Sequence, residues 1–131
     1  MKNENGSSIS DDWRKIAAKD WDRIKRNLED RDAEAAGYFL QQALEKYLKA
    51  FLIQKGWQLR KIHILHDLLV DVLKYRSDLE TFRQLCERVS AYYLADRYPP
   101  LTPSELTCGE VERDMQEGRE LIQSIFPDER L

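Results

Sequence analysis

Both histidines of the chain fall in one short run, Arg60-Lys61-Ile62-His63-Ile64-Leu65-His66-Asp67. An imidazole beside a carboxylate and near two cations can act as a general base or hold a phosphate. The same His66 and Asp67 can equally serve only to cap the first turn of a helix. Lys46 and Lys49 either line an anion-binding face or belong to a solvated helix surface. Arg97, followed by Tyr98, either complements the negative end of a helix dipole or points at a phosphate or carboxylate. Trp13, Trp21 and Trp57 read as core or interface anchors, because two of them stand in phase with an apolar helix face.

The commoner catalytic signatures are missing. The chain has no Gly-x-x-x-x-Gly-Lys phosphate loop, no His-Glu-x-x-His helix and no Gly-x-Ser-x-Gly elbow. Two cysteines, Cys86 and Cys108, are far apart and make poor material for a zinc site or a disulfide framework. No metal and no cofactor is therefore expected, and a reducing, cytoplasmic compartment is the default. The polar N-terminus has no signal-peptide core and no run of apolar residues is long enough to span a membrane.

The elements that must position these residues all show helical spacing. Trp13, Ile16, Ala17, Trp21, Ile24 and Leu28 predict a first helix over about 11–29, with Ser10 as its N-cap and residues 1–9 as a loose tail. A second helix over about 32–55 should stop at Gly56. Its apolar residues, from Phe39 and Leu40 to Phe51 and Leu52, sweep roughly 220° of the circumference, against about 100° for an ordinary surface helix. Such a helix is central to a bundle or shared with a second subunit. Gln42, Glu45, Lys46 and Lys49 fill its polar side, with Glu45 and Lys49 in the favourable i,i+4 order.

Leu65, Leu68, Leu69, Val72 and Leu73 predict a third helix over about 64–75. A Ser77-x-x-Glu80 capping box should open the fourth, which Arg97-Tyr98-Pro99-Pro100 ends. A proline-rich loop leads to a second capping box, Thr107-x-x-Glu110, and a fifth helix that Pro127 stops, leaving residues 127–131 as a tail. The expectation is an all-α, up-and-down bundle of four to five helices spanning 10–126 as one domain.

Lys and Arg number 21 against 24 Asp and Glu, so the net charge of -3 excludes a polycation that coats nucleic acid indiscriminately. Charge is uneven along the chain. Residues 31–76 carry eight positive and five negative side chains, and residues 77–131 carry six and twelve. Any anion should therefore sit against the second helix and the 60–67 junction, away from the acidic fifth helix.

The run Phe39-Leu40-Gln41-Gln42-Ala43-Leu44-Glu45-Lys46-Tyr47-Leu48-Lys49-Ala50-Phe51-Leu52 resembles the signature helix of HEPN domains. His66-Asp67-Leu68 and Arg97-Tyr98-Pro99 are similar to the family's later motifs, and Trp13 through Ala17 with Asp20 and Trp21 fit its first helix. The resemblance covers about residues 10–126. It implies a bundle that usually dimerises, and a polar groove of Gln42, Glu45, Lys46, Lys49, His66, Asp67, Arg97 and Tyr98 suited to a nucleotide or RNA phosphate.

Family members often work beside a nucleotidyltransferase, frequently as a toxin–antitoxin pair, and many are ribonucleases with an Arg followed after four to six residues by a His. Here Arg97 is followed by Tyr98-Pro99-Pro100-Leu101-Thr102-Pro103, without a histidine. Arg60 and His66 have five residues between them but precede the third helix. The resemblance thus implies one of two functions. The first is a nucleotide- or RNA-binding homodimeric subunit beside a nucleotidyltransferase. The alternative is a metal-independent ribonuclease using His66 with Arg60 or Arg97.

Overall fold

The computed structural model describes the backbone of residues 2–97 and 106–131, and the side chains of residues 8–92 and 106–131. Among the described residues five α-helices follow in order, α1 (Lys2–Glu29), α2 (Ala33–Gln54), α3 (Leu65–Leu73), α4 (Arg83–Arg97) and α5 (Cys108–Ile125), with a 3-10 helix at Ser77–Phe82. No strand occurs among the described residues. The architecture is the all-α bundle that the apolar spacing predicts. The loop expected before Thr107 falls largely on residues 98–105, outside the described residues.

The central helix is α2, which packs against α1, α3, α4 and α5. That position accounts for its wide apolar arc without a second subunit. Leu40, Leu44, Leu48 and Leu52 are fully buried, each contributing roughly 1.5–3 kcal/mol. Asp32 caps the start of α2 by accepting from the Ala35 N–H at 3.1 Å. Gly56, at φ +91°, supplies the left-handed residue that ends it. On the α5 side, a Cβ at Gly118 would stand 3.3 Å from a methyl of Leu44, so glycine is what allows these two helices to approach closely.

Two expected helix starts differ from the sequence reading. Ser10 does not cap α1; its buried hydroxyl donates to the Ala50 carbonyl at 2.7 Å, and the helix runs on toward Lys2. A long-range partner has thus replaced the local one. The Ser77–Glu80 capping box does not form either. Glu80 is taken by Arg83 at 2.7 and 2.8 Å, and the segment winds as a 3-10 helix before α4 begins. The box at Thr107 and Glu110 forms as predicted. Ile16, placed on the apolar face by its spacing, is 45% exposed.

Helix α3 has no side-chain cap of its own. The Leu65 N–H donates instead to the Ser90 hydroxyl of α4 at 3.0 Å, and that hydroxyl donates to the Cys86 carbonyl at 2.7 Å. Arg76 ties the far end, gripping Asp78 and donating to the Ser124 carbonyl near the end of α5.

Beyond α5 the chain folds back onto α1. Phe126 is buried, the Arg14 guanidinium lies 4.2 Å from its ring centre, and Arg14 donates to Glu129 at 2.6 and 3.0 Å and to Asp128 at 3.2 Å. Arg14→Ala should lower stability by about 1–2 kcal/mol in urea unfolding, since a mostly covered ion pair is lost. Glu129→Ala should give a similar loss, and two unchanged midpoints would show that the clasp contributes nothing.

Candidate functional site

The polar side of α2 divides between two buried carboxylates. Glu45, 4% exposed, accepts at one oxygen from the Gln41 amide (3.1 Å) and at the other from Lys49 (2.9 Å). The His63 Nδ1 lies 3.1 Å from that second oxygen. Gln41 also donates to the His63 carbonyl at 2.8 Å, so this cluster fastens the loop after α2 to the helix. Gln42 donates to Gln41 at 2.6 Å, and the Lys49 ammonium stands 5.6 Å from the centre of the Trp13 ring. Glu45 and Lys49 form the predicted i,i+4 pair, but inside the fold.

Lys46 turns to α1. There it pairs with Asp20, which is 2% exposed and also receives Arg23 at 2.6 Å. The two lysines that share one side of the helix in sequence are thus committed to separate carboxylates, one near the loop and one on α1.

His66 and Asp67 lie inside the first turn of α3 rather than capping it; the cap position is Ile64. The His66 Nε2 is 3.8 Å from Asp67, and its buried Nδ1 has no hydrogen-bond partner among the described residues. The Arg60 guanidinium sits 5.8 Å from the centre of the Trp57 ring, whose N–H donates to Asp71 at 3.1 Å. The Arg97 side chain and Tyr98 lie outside the described residues. The structure therefore joins Gln42, Glu45 and Lys49 through Gln41, gives Lys46 a different anchor, and places His66 and Asp67 side by side.

A further buried acid, Asp114 on α5, accepts from the Tyr92 hydroxyl at 2.6 Å and from two nitrogens of Arg88 at 3.1 and 3.2 Å. Burial, and next the Asp114 carboxylate, push the Tyr92 phenol up from its ordinary value. Burial, and next Glu129, do the same to Tyr47. Burial pushes the Cys86 thiol up to about 12, so that cysteine is no nucleophile. No group of three or more His, Cys, Asp and Glu that could hold a metal ion occurs among the described residues.

Sequence reasoning missed Gln41, His63, Arg23 and the anchoring parts of Asp20 and Asp114. A signal was available for the two acids. Asp20 stands in phase with Ala17, Trp21 and Ile24, and Asp114 with Val111 and Met115, so each carboxylate lies on an apolar stripe where only a paired acid is tolerated.

The buried charges can be tested directly. Glu45→Ala leaves the Lys49 ammonium buried and unpaired and should cost about 3–5 kcal/mol in urea unfolding, whereas Glu45→Leu with Lys49→Met should regain most of that loss. A single-variant loss below about 1 kcal/mol would mean the pair is idle. The raised phenols of Tyr47 and Tyr92 work in the alkaline direction. Their stabilisation is complete below about pH 10, where unfolded tyrosine is still neutral, and is lost as pH rises further toward the folded values. Melting temperature should fall from about pH 10 upward, less steeply in Tyr92→Phe, and an identical profile in that variant would exclude Tyr92 as a source.

Comparisons with known proteins agree with this architecture. A crystal structure of TT1696 from Thermus thermophilus superposes with a TM-score of 0.77 at 24% identity, over 90% of this chain and 96% of that one. It is alike in fold. No curated protein sequence matches. The model of the HEPN domain family matches residues 10–126, the span that carries α2, the three buried carboxylates and the His66-Asp67 turn. The chain belongs to the HEPN domain family.

Proposed function

We propose that this chain is a non-catalytic HEPN subunit that binds the phosphate of a nucleotide or RNA. In this reading it is a cytoplasmic homodimer working beside a nucleotidyltransferase, in a toxin–antitoxin pair. Family membership supports the class, and the excess positive charge of residues 31–76 supports an anionic ligand. No helix among the described residues is long and apolar enough to cross a membrane.

The observation that favours binding over cleavage is the run after Arg97, which holds no histidine at the spacing of the family's nuclease motif and leaves His66 as the remaining candidate base. A general base is oriented by a partner on its second ring nitrogen. The His66 Nδ1 has none among the described residues, and Asp67 approaches Nε2 only to 3.8 Å. The ribonuclease reading pairs His66 with Arg60, whose guanidinium lies 5.8 Å from the Trp57 ring centre, or with Arg97, whose side chain lies outside the described residues.

The purified protein, incubated with RNA in EDTA, should leave the RNA intact while binding ATP or RNA. Cleavage that disappears in His66→Ala would overturn this reading in favour of the nuclease. Light scattering at micromolar concentration should give twice the chain mass, and a monomer would remove the dimer.

A further inference from the structure

We infer that Arg23 and Lys46, gathered on the buried Asp20 carboxylate at the seam of α1 and α2, form the contact site for the ligand's phosphate. This rests on the nucleotide- or RNA-binding reading above and names the side chains that touch the anion. Asp20 is 2% exposed, so a counter-cation is required. One cation would suffice. Two are present, Arg23 on one oxygen and Lys46 on the other, which leaves the cluster with a surplus positive charge.

The geometry of Arg23 is unlike that of the other arginines that meet a carboxylate. Arg14, Arg76, Arg83 and Arg88 each turn two or more guanidinium nitrogens toward side-chain acids. Arg23 commits Nη1 alone, so its Nε and Nη2 edge has no carboxylate among the described residues. The guanidinium is 5.6 Å from the centre of the Phe39 ring and its side chain is 44% exposed, so it is held in place yet reachable. The free edge of a guanidinium is the fork that grips two phosphate oxygens. Lys46, 20% exposed, has ammonium protons left beyond the one facing Asp20.

Lys49 is the contrasting case. It is 4% exposed and neutralised by Glu45, so drawing it out to an anion would strand a buried carboxylate. The signature helix therefore uses one lysine to hold its own loop and offers the other, with Arg23, to the ligand.

The test follows arginine Nε–H signals of the 15N-labelled protein during titration with pyrophosphate at constant ionic strength, the Arg23 signal being assigned through Arg23→Lys. The Arg23 signal should move and saturate while those of Arg76 and Arg83 stay still. No saturable movement, or all three drifting together, overturns the site. ATP and a short fluorescein-labelled oligouridylate are then titrated in turn. Arg23→Ala and Lys46→Ala should each weaken binding about ten-fold or more, and Arg83→Ala by less than about two-fold. Arg23→Ala keeps Lys46 to neutralise Asp20, and an unchanged circular-dichroism melt verifies its fold. Wild-type affinity in both variants overturns the assignment and leaves the nucleotide reading standing. Pyrophosphate saturation at Arg23 without binding of either nucleotide probe supports the anion site and overturns that reading.

Discussion

A carboxylate removed from water must be met by cations or donors, and much of this bundle is arranged around that requirement. Asp20, Glu45 and Asp114 are each nearly inaccessible, and each draws partners from another element. Asp20 joins α1 to α2 through Lys46, Glu45 joins α2 to the following loop through His63, and Asp114 joins α5 to α4 through Arg88 and Tyr92. Hydrophobic burial supplies most of the driving force, but it is non-directional. These acids add direction, since a slipped helix would leave a charge without its partner.

The central place of α2 follows from the same division of labour. The helix packs against four others, and its polar strip faces α1 and the loop. A helix this surrounded has little water to satisfy an unmatched polar group, and Gln41 illustrates how each is matched: its amide donates to Glu45 and to a loop carbonyl, and its oxygen accepts from Gln42. The polar side of α2 is thus largely an internal fastening, with the Lys46 edge as its more open part.

Much of the fold was legible because apolar spacing and glycine or threonine terminators are local signals. Leu40, Leu44, Leu48 and Leu52 declared the core side of α2, Gly56 its end, and Thr107 with Glu110 the start of α5. Ser10 and Glu80 were misread because each found a partner that the local pattern does not contain, the Ala50 carbonyl in one case and Arg83 in the other. The candidate site was legible in composition but not in pairing. Lys46 and Lys49 share a side of one helix in sequence, yet which acid each meets depends on how α1 and the loop pack, and spacing within α2 carries no information on that.

Helix α3 has nine residues, too few to persist alone in water, and its first amide finds its acceptor on Ser90 of another helix. The 64–66 turn with its histidine therefore relies on α4 for its first hydrogen bond. Loosening of α4 would strip that bond from the start of α3, so the segment bearing His66 is tied to the cooperativity of the bundle.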